Sequence, residues 1–199
     1  MTLIKVENLT KSYGTETLLK DFSLEIGEGE IVAVMGPSGI GKSTLLNIIG
    51  GLDQEFEGSL TYAPQVFEGI DVPFPFVFQE SHSLLSWKTV EDNVRIAGKH
   101  LAPEEIDEAL QAVGLYEHRK KKPRELSGGM KQRVSLARAL VCKSRVMLLD
   151  EPFASLDSEM RSKLQELVKN LSKTKGIAML LVTHERSEAE AMADRIIII

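Results

Sequence analysis

An α/β architecture built around a parallel-rich sheet is expected from three features of this chain. The stretches EIVAVMG (30–36), RVMLLDEP (145–152) and IAMLLVTH (177–184) carry continuous apolar runs, the mark of strands buried on both faces. Segments with apolar residues at helical spacing follow each of them. Strands and helices therefore alternate, which gives a parallel sheet with helices on both faces.

The elements follow in order. LIKVENLTKSY and LLKDFSLEI alternate apolar and polar residues and break at Gly14 and at the Gly27-Glu28-Gly29 turn, so residues 1–30 are expected to form short strands. EIVAVMG ends at Gly36, a glycine-rich loop follows, and TLLNIIGGL reads as a helix stopping at Gly50-Gly51. From Asp53 to about Pro75, the breakers Gly58, Pro64, Gly69, Pro73 and Pro75 imply short strands and turns. Together with the first segment these make an N-terminal antiparallel β-subdomain. FVFQ is a further buried-strand candidate. Between Ser81 and Ser144 no such strand recurs; helical patterns such as PEEIDEALQAVG, with Pro103 at its first turn, mark a helical insertion over about 81–144. After RVMLLDEP a helix from about Ser158 places Met160, Leu164, Leu167, Val168 and Leu171 on one face. IAMLLVTH, the short helix SEAEAMAD and the start of a strand at RIIII complete a single domain over 1–199, without internal repeats.

Composition narrows the function. With 199 residues, 43% hydrophobic and 27% charged, the chain supports one substantial core and no case for disorder. A net charge of -5 argues against nucleic-acid binding; the one basic run, HRKKKPR at 118–124, reads as a solvated loop. The single cysteine, Cys142, lies in an apolar run and reads as a buried, inert thiol suited to a reducing interior. The N-terminus lacks the apolar core of a signal peptide, and no segment approaches the ~18 apolar residues that span a bilayer. Any membrane role is borrowed from a partner.

GPSGIGKST fits G-x-x-x-x-G-K-[ST], with the buried strand before and the helix after that this P-loop requires. Gly36, Gly39 and Gly41 let the backbone wrap a phosphate, and the loop from Gly36 through Pro37, Ser38 and Ile40 to Thr44 surrounds it with the N–H groups of every residue but the proline, at a helix N-terminus. Lys42 adds a full positive charge for the β- and γ-phosphates, and the Ser43 hydroxyl suits Mg²⁺. VMLLDE supplies Asp150 at the end of a buried strand, where Mg²⁺ is its natural partner. Glu151, directly after it, suits the base that deprotonates a water attacking the γ-phosphate, or alternatively a cap on the next turn.

A second loop, LSGGMKQR (126–133), pairs a serine with two glycines and opens a helix. GPSGIGKST, LSGGMKQR and VMLLDEP, in this order, resemble the nucleotide-binding subunits of ABC transporters over essentially the whole chain. The resemblance implies a P-loop NTPase core with a helical signature subdomain. It implies that Tyr13 stacks on adenine, that Gln79 reaches Mg²⁺ and the attacking water, that SLD at 155–157 is the D-loop with Asp157 near nucleotide, and that His184 contacts the γ-phosphate. It further implies that Ser127, Gly128 and Gly129 face the ATP held by a second copy, so that two chains bury two nucleotides head to tail. The resemblance makes transmembrane permease subunits direct partners, a solute-binding protein an indirect one, and the cytoplasmic face of the membrane the location.

SLLSWKTVEDNV resembles the corresponding segment of nitrate, sulfonate and taurine importers; Trp87 in it reads either as part of a permease-docking surface or as packing within the insertion. A separate short ATPase without a membrane span favours import over export. Glu185 stands where many relatives have Asp, 57–78 is compact and proline-rich for the family, and the end at Ile199 is short for the family, with no regulatory C-terminal domain expected. Two other readings compete: a soluble ABC ATPase of DNA repair or translation, and a small-molecule P-loop kinase. The first lacks an inserted coiled coil, a second ATPase unit and a basic face here; the second leaves LSGGMKQR and His184 unexplained.

Overall fold

The computed structural model describes residues 1–78 and 83–199. Strand β1 (Thr2–Tyr13) and strand β2 (Glu16–Gly27) form an antiparallel hairpin turning at Gly14, and both are long rather than short. The breaks in their alternation are bulges, not strand ends. Asn8 (φ 52°) and Asp21 (φ 50°) take left-handed backbone, which short polar side chains tolerate, and the ladder shifts register beside them. The Ser23 and Thr10 hydroxyls accept the displaced N–H groups of Asn8 and Asp21.

Among the described residues, five parallel strands form the central sheet. They are β3 (Ile31–Met35), β5 (Phe76–Val77), β6 (Val146–Asp150), β7 (Ala178–Thr183) and β8 (Arg195–Ile198), in the order β5-β6-β7-β3-β8. Every residue of β6 and β7 is buried, as their uniform apolar character requires. FVFQ yields only the two-residue edge strand β5.

The two faces of the sheet are covered differently, although helices lie on both, as expected. Val32, Val34, Leu148, Leu180 and Val182 pack on helix α1 (Lys42–Ile49) and on the antiparallel sheet, whose third strand is β4 (Glu57–Tyr62). Ala33, Met147, Leu149, Met179 and Leu181 pack under the remaining helices, α2 (Val90–Ala97), α3 (Pro103–Ala112), α4 (Gly128–Leu140), α5 (Ser158–Lys175) and α6 (Arg186–Met192). A single apolar cluster thus runs from the sheet into the helical segment, with Val90, Val94, Ile106, Leu110 and Val134 fully buried in it.

Local chemistry fixes the helix ends. Thr89 and Asp92 form a reciprocal capping box on α2, Pro103 opens α3, and Gly176 (φ 67°) closes α5 in the left-handed conformation. Asn93, fully buried on α2, accepts from the Leu85 N–H at 2.8 Å and donates to the carbonyls of Leu85 and Thr89 at 3.2 and 2.8 Å, fastening the segment ahead of the helix. Cys142 proves half-buried rather than buried; its thiol donates to the Arg138 carbonyl at 3.2 Å, and burial pushes it up from the ordinary thiol value. The basic run holds turns, with Lys120 paired to Glu91 at 2.6 Å. Trp87 is 68% exposed, so the packing reading of this residue fails.

Candidate functional site

The site forms at the C-terminal ends of β3, β6 and β7, which are sheet neighbours in the order β6-β7-β3. After β3 the chain enters GPSGIGKST. A Cβ on Gly36 would come within 2.7 Å of the Ile199 carbonyl oxygen, so only glycine fits there. Gly41 adopts φ 105° and caps α1, leaving that helix no capping side chain to occupy its first N–H groups. Lys42 begins the helix, is largely buried, and arches back to donate to the carbonyls of Gly36 and Pro37 at 2.8 and 2.9 Å. The ammonium is thereby held against the loop, at the start of a helix whose first N–H groups no side chain caps, an arrangement that attracts an anion of high charge.

At the end of β6, Asp150 is buried and hydrogen-bonds the Ser43 hydroxyl. Burial pushes its carboxyl up; Ser43 and Lys42 pull it down, and the neighbouring Glu151 charge adds to the upward push. A divalent cation would remove that penalty. Among the described residues no group of three or more His, Cys, Asp or Glu side chains gathers around one point. One carboxylate and one hydroxyl suit Mg²⁺, which keeps phosphate and water ligands, better than they suit a metal needing a full protein cage.

Glu151 has φ 45°, a left-handed conformation that is unfavourable for this side chain. Its N–H bonds to the Val182 carbonyl at 3.0 Å, which turns the chain off β6 toward β7. The result is a carboxylate oxygen 2.8 Å from Nδ1 of His184, the residue that follows β7. With Nδ1 protonated, the ring donates to the carboxylate and fixes it. Glu151 is buried whereas His184 is half-exposed, so the pair faces an opening. Ser38, Gly39, Gly41, Lys42, Ser43 and Thr44 line one groove with Glu151 and His184.

Tyr13 stands at the end of β1 and is 53% exposed. Its hydroxyl donates to Asp53 Oδ2 at 2.9 Å, which is the main reason its phenol is raised above the ordinary value; the Thr44 hydroxyl pulls the other way. Gln79 lies outside the described residues. Its neighbour Phe78 is placed: the Phe78 carbonyl accepts from Gln132 Nε2 of α4 at 3.1 Å.

The second loop lies apart from this groove. Ser127 caps α4, its Oγ accepting the Met130 N–H at 3.3 Å, and neither it nor Gly128 and Gly129 lines the groove. A Cβ on Gly129 would come within 2.7 Å of the Ser155 carbonyl oxygen, whereas one on Gly128 would meet nothing within 4 Å. Asp157 caps α5 by accepting the Met160 N–H at 3.0 Å. The structure therefore unites the P-loop residues, Asp150, Glu151 and His184, and leaves Ser127, Gly128, Gly129 and Asp157 outside the groove.

Sequence reasoning missed Lys11, which is buried beneath the Tyr13 ring, and Leu18, which lines the groove. It also missed Glu188, buried behind the histidine and bonded to the Thr183 hydroxyl. The position of Glu188 in SEAEAMAD gave no sign of burial, because a charged residue on a short helix reads as solvated.

The ABC transporter family profile matches residues 19–154. An aliphatic sulfonates import ATP-binding protein of Pseudomonas syringae pv. tomato is 47% identical over 197 residues, covering 98% of this chain and 72% of its own length. A spermidine/putrescine import ATP-binding protein of Haemophilus ducreyi is 39% identical over 207 residues, 99% of this chain and 55% of its own. Among solved structures, a dimeric ATP-binding cassette in a post-hydrolysis state, bound to ADP and phosphate, superposes with a TM-score of 0.86 at 34% identity, covering 99% of this chain and 94% of its own.

Proposed function

The chain belongs to the ABC transporter family, and on that premise we propose that it is the subunit that binds and hydrolyses ATP to drive solute import, acting as a head-to-tail dimer. The observation that carries the dimer is the separation of the two loops. Lys42, Glu151 and His184 share one groove, while Ser127, Gly128 and Gly129 present a helix N-terminus outside it. A second copy would bring its own signature loop to the open side of the groove. Resemblance to a dimeric cassette supports this arrangement.

In the reading that follows, Tyr13 stacks on the adenine and the loop N–H groups with Lys42 hold the β- and γ-phosphates. Glu151 accepts a proton from the attacking water as its oxygen bonds to the γ-phosphorus, and the bond to the β–γ bridging oxygen breaks to give ADP and phosphate. His184 keeps the carboxylate aimed by its 2.8 Å hydrogen bond and offers its outer ring nitrogen toward the γ-phosphate. Ser43, Asp150 and Gln79 would hold Mg²⁺, which when bound neutralises charge on the phosphate oxygens. Asp157, at the start of α5, serves the dimer contact rather than the same chain's groove.

The permease partner would dock near the helical segment; the exposure of Trp87 and an apolar groove lined by Phe74, Phe76, Phe78 and Ile96 support this. No helix among the described residues is long and apolar enough to cross a membrane. Attachment to the cytoplasmic face would therefore come through the permease, and contact with a solute-binding protein only through it. Identity to a protein named for aliphatic sulfonates supports sulfonate-type cargo. Import names among the relatives disfavour a role in DNA repair or translation.

Glu151→Gln tests the core of this reading. Mass measured by light scattering should double when ATP is added to the variant, and turnover should fall by about 10²–10⁴-fold. A variant that stays monomeric in saturating ATP would refute the shared site.

A further inference from the structure

The Tyr13 ring is more constrained than a stacking platform at a strand end needs to be. Lys11 precedes it by two residues on β1, where the ladder shifts register between Lys11 and Ser12. The Lys11 ammonium sits 4.7 Å from the ring centroid, and the lysine is only 3% exposed. A buried ammonium requires partners, and these are explicit: Asp53 Oδ1 at 2.9 Å and the Glu55 carbonyl. The other oxygen of the same carboxylate, Asp53 Oδ2, accepts from the Tyr13 hydroxyl at 2.9 Å. One carboxylate thus holds both the cation under the ring and the hydroxyl at its tip.

Asp53 is itself tied to the phosphate loop's helix. Its N–H donates to the Asn47 carbonyl in α1 at 3.2 Å, and its Oδ1 accepts the Glu55 N–H at 3.1 Å. The hydrogen bonds therefore run from the ring through Asp53 into the helix that Lys42 opens.

We infer that Lys11 and Asp53 are positioning residues for the base: Lys11 occupies one face of Tyr13, Asp53 fixes the ring's tilt, and a single face is left for a purine. This rests on the reading of Tyr13 as the adenine platform. The cation also draws electron density through the ring, which favours stacking of an electron-rich base on the far face. The effect belongs to the base alone, because neither residue reaches the P-loop's phosphate-binding groups.

Calorimetric titration of the purified chain with ATP and with inorganic tripolyphosphate, in the same Mg²⁺ buffer, separates base from phosphate. Tyr13→Ala should weaken ATP about tenfold and leave tripolyphosphate unchanged. Lys11→Met, which keeps the buried stem, and Asp53→Asn, which keeps the bulk, should each weaken ATP about two- to fivefold, again without changing tripolyphosphate. In a Tyr13→Ala background neither should weaken ATP further. Equal weakening of both ligands, or a loss that persists without the tyrosine, would overturn the positioning role. If Lys11→Met does not fold, Asp53→Asn carries the same comparison. No effect of Tyr13→Ala on ATP relative to tripolyphosphate would instead overturn the stacking reading on which the inference depends.

Discussion

Gly128 and Gly129 are neighbours in the signature loop, yet the geometry gives them different reasons for lacking a side chain. A Cβ at 129 would lie 2.7 Å from the Ser155 carbonyl oxygen, and real Cβ atoms essentially never come within 3.0 Å. The obstacle is backbone, so α4 or the turn before α5 must shift. Overpacking of that kind costs about 1–3 kcal/mol. At 128 nothing lies within 4 Å, so alanine meets no obstacle inside the chain. Both positions are in the first turn of α4, and replacing glycine there gains up to ~1 kcal/mol of helix propensity in each case. That gain cancels between the two variants, leaving the contact alone as their difference.

At this chain length 1 kcal/mol moves the melting temperature by about 2–4 °C, so Gly129→Ala should melt about 2–12 °C below Gly128→Ala. The dimer should respond in the opposite sense. Gly128 is the glycine whose free space faces outward, where the partner's nucleotide would approach. Placed in a Glu151→Gln background, Gly128→Ala should melt at or above the parent and yet require at least about tenfold more ATP to dimerise. Scanning calorimetry and light scattering read the two effects separately. A Gly128→Ala protein that is less stable than Gly129→Ala, or that dimerises normally, would refute the assignment.

Two further outcomes are expected. Glu188 is buried against Thr183, and burial, with help from the Glu185 and Glu151 charges, raises its carboxyl above the ordinary 4.5 against the pull of the Thr183 hydrogen bond. The folded chain then binds more protons than the unfolded chain from pH 4.5 upward, so stability must fall as pH rises through that window to the folded value. Glu188→Gln keeps an acceptor for Thr183 and removes that slope; urea melts across pH should show the wild-type minus variant difference declining, and a flat difference would contradict it. Trp87→Ala should change stability by no more than about 0.5 kcal/mol, since the ring is 68% exposed, while abolishing co-purification with membrane subunits. A large loss of stability would restore the packing role.

Much of the site was readable because its signals are local. GPSGIGKST specifies its own loop, and VMLLDE places two acids at the end of a strand whose burial its composition announces. What stayed hidden depends on contacts between distant residues. Lys11 sits in an alternating strand and reads as solvated; its burial makes sense only with Asp53, 42 residues on. His184 was read as a phosphate contact, and its bond to Glu151, 33 residues back, has no counterpart in spacing. The true lengths of β1 and β2 were masked because bulges at Asn8 and Asp21 reset a period of two. Continuous apolar runs reveal that both faces of a strand are covered, but not by what: that the antiparallel sheet shares one face with α1 while the other helices cover the opposite face depends on contacts between distant segments.

The three inner strands also impose a constraint on length. Asp150 is level with Val182, and Val182 with Val34, in a ladder whose strands stand about 4.8 Å apart. Glu151, His184 and the P-loop meet because β6, β7 and β3 all run out at that same level. Side chains alternate between faces, so losing one residue from any of these strands would exchange its two apolar sets and carry the following functional group to the wrong side. Replacing Leu149 by another aliphatic residue alters a contact; deleting it moves Glu151. These strands can accept a change of residue far more readily than a change in number.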